Sequence, residues 1–355
     1  MSILTVYLGS FKKGPGGAVI QCAFDTESGK LTETGRLNTV RPSYLLLDPE
    51  HKLLYCIREA NEIDGVYGGG IECIDVSGKK MVSLSRQSLG GKGPAHLCLR
   101  DGWLITALYG EGGLTETRVK NGVIEPVRNI IRHIGKGTDP ERQEQPHPHY
   151  VSFMPDGAHL AVCDLGLDRI FVYPYRADTG ISLFPDEIEA PAGSGPRHLV
   201  WSWDNRMMYV VTEMGGTLLT YLLTGNGKAQ LSGCVSTLPE RFAGENTCAA
   251  IRMNRMGNEL VISNRGHDSL AFFRLDENGM PYLTGRVSTG LWPRDVEFSP
   301  DGKWLLCANQ NSDTVDVYSY RSDGDDAIEK RVRLIEENRF HTDTMPCCIV
   351  FSDEN

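Results

Sequence analysis

The sequence predicts an all-β fold: a seven-bladed β-propeller with four antiparallel strands per blade. Three observations predict it. A strand–turn–strand segment recurs about every fifty residues. Each copy carries hairpin turn residues. The last copy is cut short in a way that complements the N-terminus.

The recurring segment is a short polar lead, an apolar strand, a turn and a second apolar strand. The copies are RPSYLLLDPEHKLLYCI from Arg41, GPAHLCLRDGWLITAL from Gly93 and HPHYVSFMPDGAHLAVC from His147. They continue as GPRHLVWSWDNRMMYVV from Gly195, TCAAIRMNRMGNELVIS from Thr247, WPRDVEFSPDGKWLLCA from Trp292 and the truncated MPCCIVFSDEN from Met345. Pro42, Pro94, Pro148, Pro196, Cys248, Pro293 and Pro346 fill one slot, at spacings of 52, 54, 48, 52, 45 and 53. A period in this range marks a repeat architecture, and β-rich runs joined by Asp-Gly or Asp-Asn turns make each unit a set of hairpins. A third strand follows, as in DRIFVYPY from Asp168 and DTVDVYSY from Asp313, then a weaker fourth. Four strands in each of seven units is propeller composition.

At the N-terminus TVYLGS, AVIQCAFD and LTETGRLN have no inner strand before them. Residues 1–40 and 344–355 are therefore expected to complete one blade together, closing a single domain over residues 1–355. The polar stretch Ile131 to Gln145 has two readings, a cover over the channel mouth carrying Arg142 or Gln143, or an ordinary wet connection. Ser322 to Arg331 reads as a solvated outer-strand turn. No stretch has helical periodicity.

The 355 residues are 40% hydrophobic, enough for a large core, with a net charge of −10. That charge disfavours non-specific binding to nucleic acid or anionic membranes. No run approaches the 18 apolar residues of a spanning helix. The N-terminus lacks a basic region ahead of its short apolar run, so no signal peptide is expected. Ten scattered cysteines, none in a CxxC, suggest a reduced, cytoplasmic protein without a zinc site. A small-molecule partner, no cofactor, and a monomer or weak homo-oligomer are the matching expectations.

In a propeller the first strand of each blade lines the central channel, and the second runs antiparallel to it. Reflection through the turn then pairs residues. Arg197 and Glu213 reflect about 205, His149 and Asp164 about 156.5, Arg294 and Asn309 about 301.5; Arg265 falls opposite Ala249. All lie at one end of their blades. His149, Asp164, Arg197, His198, Glu213, Arg265, Arg294, Asp295 and Asn309 are thus expected around one mouth, an anion site with a candidate acid/base. Plainer readings stand beside this one. An arginine there can serve only as a blade-to-blade ion pair. His147 and His198 suit structural roles. His267 suits bracing its own turn, and Asp164, Asp168 and Arg169 suit a local ion pair.

The motifs RQEQPHPH (Arg142 to His149), GPRHLVWS (Gly195 to Ser202), VTEMGGT (Val211 to Thr217), SNRGHDSL (Ser263 to Leu270) and WPRDVEFSPDGKWLLCANQNSDTV (Trp292 to Val315) resemble the seven-bladed propeller lactonases. That family includes bacterial propeller-type 6-phosphogluconolactonases and the fungal carboxy-muconate lactonising enzyme. The resemblance implies a catalytic set of His149, Arg197, Arg294 and Glu213. Arg265, His198, Asp164, Asn309, Arg142 and Gln143 are the substrate-binding candidates beside them. Cys248 and Ala249 break the pattern of the other blades. The implied reaction is metal-independent hydrolysis of a sugar lactone, with 6-phospho-D-glucono-1,5-lactone of the pentose phosphate pathway as the leading substrate. The arginines would hold phosphate or oxyanion. His149 is favoured over Glu213 as acid/base, because adjacent arginines oppose the raised pKa a carboxylate base needs. The rivals are lactonase or cycloisomerase action on an unphosphorylated or carboxylated lactone, a metal-dependent lactonase, and a non-catalytic scaffold. The lone Trp203-Asp204 dipeptide lends the last little weight.

Overall fold

A computed structural model describes residues 2–12, 16–324 and 326–352. Its main sheets are seven antiparallel blades arranged as a propeller. The strand Pro346–Phe351 pairs with Ile3–Ser10, which is followed outward by Ala18–Asp25 and Leu31–Asn38. The C-terminal strand is thus the innermost strand of the first blade, and the two ends of the chain close the ring.

The second strands, such as Met207–Thr212 and Trp103–Leu108, are buried along their whole length. Neighbouring blades cover both of their faces, which is why they read as continuous apolar runs. The outer strand Val82–Ser88 alternates exposed and half-buried residues, as an edge with one wet face must. Apolar clusters lie between adjacent blades. One joins Trp103, Ile105 and Leu114 to Val151, Leu160 and Phe171.

Three blades depart from four continuous strands. The third strand Gly113–Lys120 pairs with Val123–Ile124 and separately with Asn129–Arg132. Pro126 sits in the gap and has no N–H for the ladder. Arg169–Arg176 likewise pairs with Gly180–Ile181 and Asp186–Glu189, on either side of Pro185. In the last full blade the break follows an insertion instead, and that insertion corrects the reading of Ser322 to Arg331 as a solvated turn. It contains a short helix, Ile328–Arg331. Ile328 and Arg331 are buried, and Arg331 Nη2 reaches Glu259 Oε1 of the neighbouring blade at 2.5 Å. Asp325 lies outside the described residues.

Asp168 and Arg169 do not form an ion pair. Arg169 turns outward to Glu187 and Glu189. Asp168 instead takes the backbone N–H of Gly195, at the start of the next blade, at 2.8 Å. Asp268 does the same for Trp292 at 2.8 Å, and Asp313 for Met345 at 2.7 Å. All three aspartates have φ between 52° and 54°, a left-handed conformation that Asp tolerates well. Each clasp fixes where the next inner strand enters the channel. Among the described residues no helix is long and apolar enough to cross a membrane, and all ten cysteines are free.

Candidate active site

The proline slot has a structural consequence that the spacing did not reveal. In five blades the ladder between first and second strands slips by one residue just after the proline. Pro148 faces Asp164, but Tyr150 faces Cys163, leaving His149 unpaired. Ala95, Arg197, Arg294 and Cys347 are released in the same way. A bulge re-aims the side chain it frees. His149, Arg294 and Ala95 thereby line a cavity of ≈ 310 Å³ at one mouth of the channel.

The opposite wall comes from residues at or just past the ends of second strands. Glu213, Tyr109, Glu59 and Phe11 each follow one directly, and Arg265 ends one. Tyr109, Phe11, Glu59 and Asn61 are lining residues absent from the sequence-derived set. The signal for Tyr109 was present: it reflects onto Ala95 through Gly102, in the same manner as Glu213 onto Arg197.

Glu213 organises the charges. Its Oε2 accepts from Arg197 Nε and Arg265 Nη2, each at 2.8 Å, and its Oε1 from Arg142 Nη2 at 2.5 Å. Burial pushes its pKa up, but Arg265, Arg197 and Arg142 outweigh burial and hold it well below the usual carboxylate range. Glu213 is therefore an ionised clamp for three arginines and a poor proton acceptor. Arg197, pressed by burial and by Arg265, falls to about 9 and stays protonated at neutral pH. Burial first and Arg197 second drive His149 well below an ordinary histidine. Its imidazole is neutral at pH 7.

Arg294 differs from the other arginines. Among the described residues it has no carboxylate partner, and its guanidinium sits 4.2 Å over the Phe11 ring. A cation–π contact orients the group without neutralising it. Arg41 and Glu59 pair with each other at 3.2 Å. Against the single charge of Glu213 stand Arg142, Arg197, Arg265 and Arg294, so the mouth is cationic in a chain of net charge −10.

Of the polar stretch Ile131 to Gln145, Ile131 and Arg132 finish an outer strand, and the rest is a strap that runs beside this mouth. Arg142 reaches Glu213 across 71 residues of sequence. Gln143 was expected on the ligand, but it is fully buried and knots the strap. Its Oε1 accepts from the Thr138 and Asp139 N–H groups at 3.0 and 3.1 Å, and its Nε2 donates to the Leu165 carbonyl at 2.9 Å.

Five other candidates stand away from the cavity wall. Asp164 turns into the blade, where its Oδ2 meets His133 Nδ1 at 2.5 Å and its Oδ1 takes the His147 N–H at 2.8 Å. Asn309 faces its own hairpin, donating to Thr314 Oγ1 at 3.2 Å. Arg197 lies behind Glu213, with Nη1 donating to the Ala249 carbonyl at 2.7 Å and to His198 Nε2 at 3.1 Å. His198 is buried deeper in the channel. Asp295 is likewise buried, held by Arg252 at 2.8 Å. His147 stacks on Tyr109 at 4.3 Å, and His267 bonds Ser269 Oγ at 2.7 Å, so both brace structure. Among the described residues no group of three or more His, Cys, Asp or Glu side chains is placed to hold a metal ion.

Comparison with known proteins gives this geometry a context. A family model described as "Lactonase, 7-bladed beta-propeller" matches residues 5–331. A 6-phosphogluconolactonase of Bacillus subtilis is 30% identical over 314 residues, spanning 86% of this chain and 88% of the relative. The solved structure of a periplasmic gluconolactonase from Pseudomonas aeruginosa aligns with a TM-score of 0.89 at 27% identity, covering 99% of both chains. A protein of known structure from Lactobacillus plantarum aligns with a TM-score of 0.88 at 28% identity, also over 99% of both.

Proposed function

The chain belongs to the seven-bladed β-propeller lactonase family, and we propose that it hydrolyses 6-phospho-D-glucono-1,5-lactone to 6-phospho-D-gluconate. The observation that carries the choice of a phosphorylated substrate is Arg294, a guanidinium on the cavity wall with no carboxylate partner among the described residues. Guanidinium forks bind phosphate and oxyanion alike.

In this reading a water adds to the lactone carbonyl, the ring C–O bond breaks, and the ring oxygen leaves as a hydroxyl. At neutral pH the product is a carboxylate and one proton is released. Arg294 binds the phosphate or the developing oxyanion. Arg265 adds positive charge while Glu213 holds it in place. His149 lines the cavity as a neutral imidazole, and it is the side chain left to trade a proton with the reacting oxygens. Glu213, ionised and clamped, positions arginines. Hydrolysis of an activated ester asks for no metal. The ten free cysteines favour a reducing compartment.

A second reading, an unphosphorylated lactone, is favoured by the likeness to the Pseudomonas aeruginosa gluconolactonase. The test is turnover of freshly generated 6-phosphogluconolactone against glucono-1,5-lactone, with spontaneous hydrolysis subtracted. A kcat/KM at least tenfold higher for the phosphorylated lactone is expected. Equal or reversed preference assigns the site to the unphosphorylated lactone. No rate on either would overturn both readings.

A further inference from the structure

Below the cavity the channel is filled by a row of rings. His149 packs against His198 with centroids 5.2 Å apart, and His198 against His96 at 5.7 Å. Tyr150 lies on the same pair, 3.9 Å from His96 and 4.8 Å from His198. The three histidines are 7, 5 and 3% exposed respectively. Among the described residues three of their nitrogens have no hydrogen-bond partner: His149 Nδ1, His198 Nδ1 and His96 Nε2. Buried polar atoms of this kind are normally satisfied, by protein or by an ordered water.

The partners of the remaining nitrogens fix two of the tautomers. A neutral imidazole carries one N–H and one lone pair, and a guanidinium can only donate. His198 Nε2 lies 3.1 Å from Arg197 Nη1, so it accepts, and the His198 proton is on Nδ1. His96 Nδ1 accepts from the Val151 backbone N–H at 3.4 Å, so the His96 proton is on Nε2. Both unpartnered groups are therefore N–H donors. Burial, Arg197 and Arg252 disfavour a second proton on either ring.

We propose that His96 and His198 are positioning residues for His149: they hold one internal water, which donates to His149 Nδ1 and leaves the His149 proton on Nε2, toward the cavity. Water accepts two hydrogen bonds and donates two. The two fixed N–H groups fill its lone pairs, and one of its hydrogens then needs an acceptor. His149 Nδ1 is that acceptor. The opposite His149 tautomer would set three donors against two lone pairs. His149 consequently meets the ligand as a hydrogen-bond donor, suited to the carbonyl or ring oxygen of an ester. Only this last step rests on the lactonase reading; the tautomer is a property of the ligand-free protein.

The test is a long-range ¹H–¹⁵N correlation spectrum of the full-length protein labelled with ¹⁵N-histidine, at pH 7 and without substrate. Single histidine variants assign the signals. The expected pattern is Nδ1–H for His198, Nε2–H for His96 and Nε2–H for His149. A wild-type spectrum with His149 as Nδ1–H overturns the proposal, and that measurement needs no variant to fold. His96→Phe removes one donor, so the water can accept from His149 and both His149 tautomers become populated. In that variant kcat should fall about twofold or more, in step with the share of Nδ1–H tautomer in the spectrum, with KM within twofold. An unchanged His149 tautomer together with an unchanged kcat also overturns the proposal. A protein that shows the expected tautomers yet turns over no lactone retains the positioning and loses the substrate assignment.

Discussion

Arg294 stacks on Phe11 at 4.2 Å and, among the described residues, meets no carboxylate. A cation left in this state is available to a ligand anion. Arg294→Ala should lower kcat/KM about 100-fold, the scale of losing one donor to a developing oxyanion or a bound anion. Arg294→Lys should recover only part of this, because the bidentate fork is lost. If Arg294 binds phosphate, the loss is larger on the phosphorylated lactone; if it binds the oxyanion, both lactones suffer equally. Steady-state kinetics on the two substrates decides.

Glu213 joins Arg142, Arg197 and Arg265. Glu213→Gln keeps the shape and removes the charge, so three guanidinium groups repel one another in a buried site. The variant should lose about 3–5 kcal/mol of stability, the usual cost of breaking a buried pair from one side. Its kcat should fall as the arginines drift. Denaturant titration and initial rates measure the two effects separately.

Stability should be lost on mild acidification. His96, His149 and His198 all have folded pKa values well below 6.5, chiefly through burial. Below pH 6.5 the unfolded chain binds protons that the folded chain refuses, so stability is full above that pH and declines as pH falls. With all three sites contributing, the slope approaches about 4 kcal/mol per pH unit once the unfolded sites are protonated. Glu213, depressed instead, adds a further loss as pH falls below its unfolded value near 4.5. Calorimetry from pH 8 to 5.5 should show Tm dropping steeply below pH 6.5. A flat Tm would show that these rings take up protons in the folded state.

Arg331→Ala should destabilise by about 3–5 kcal/mol while leaving the folded protein active. The substitution removes the nearest cation of buried Glu259, which Arg331 Nη2 meets at 2.5 Å, and leaves it the Tyr320 hydroxyl at 2.6 Å and Arg274 at 3.8 Å, all outside the cavity lining. Thermal melts should show the loss, and kcat/KM measured well below Tm should stay within twofold.

Arg142 tests the strap. It bonds Glu213, but its side chain is 39% exposed, so Arg142→Ala should weaken substrate binding more than it slows chemistry. KM should rise about tenfold with kcat within threefold, the pattern of an interaction equally present in ground and transition states.

The sequence carried the repeat plainly, because each blade must bury its second strand on both faces and so writes an apolar run every fifty residues. It carried the mouth as well, since His149, Glu213, Arg265 and Arg294 follow from reflection through the turns. It did not reveal which of these meet the cavity. Arg197 and His149 hold equivalent positions just after a proline, yet Arg197 is drawn back by Glu213 and the Ala249 carbonyl while His149 remains forward. Asp164 and Asn309 satisfy the same reflection but spend their polar atoms on local turns. Such choices depend on the neighbouring blade, and no single repeat encodes them. Gln143 and Arg142 are adjacent in sequence and opposite in role, which only the fold of the strap reveals.

Closure of the ring by Pro346–Phe351 against Ile3–Ser10 has a consequence for biogenesis. The ladder joins residues more than 340 positions apart, such as Val6 and Phe351, and contacts so distant form late. During synthesis the strand Ile3–Ser10 leaves the ribosome early with its inner edge bare, and it waits for nearly the whole chain to be translated. Until then the nascent protein is an open fan with a sticky margin, the kind of edge on which strands from other chains add. Ribosomes stalled before residue 346 should therefore carry a chain prone to aggregate, although six of its blades already have all their strands.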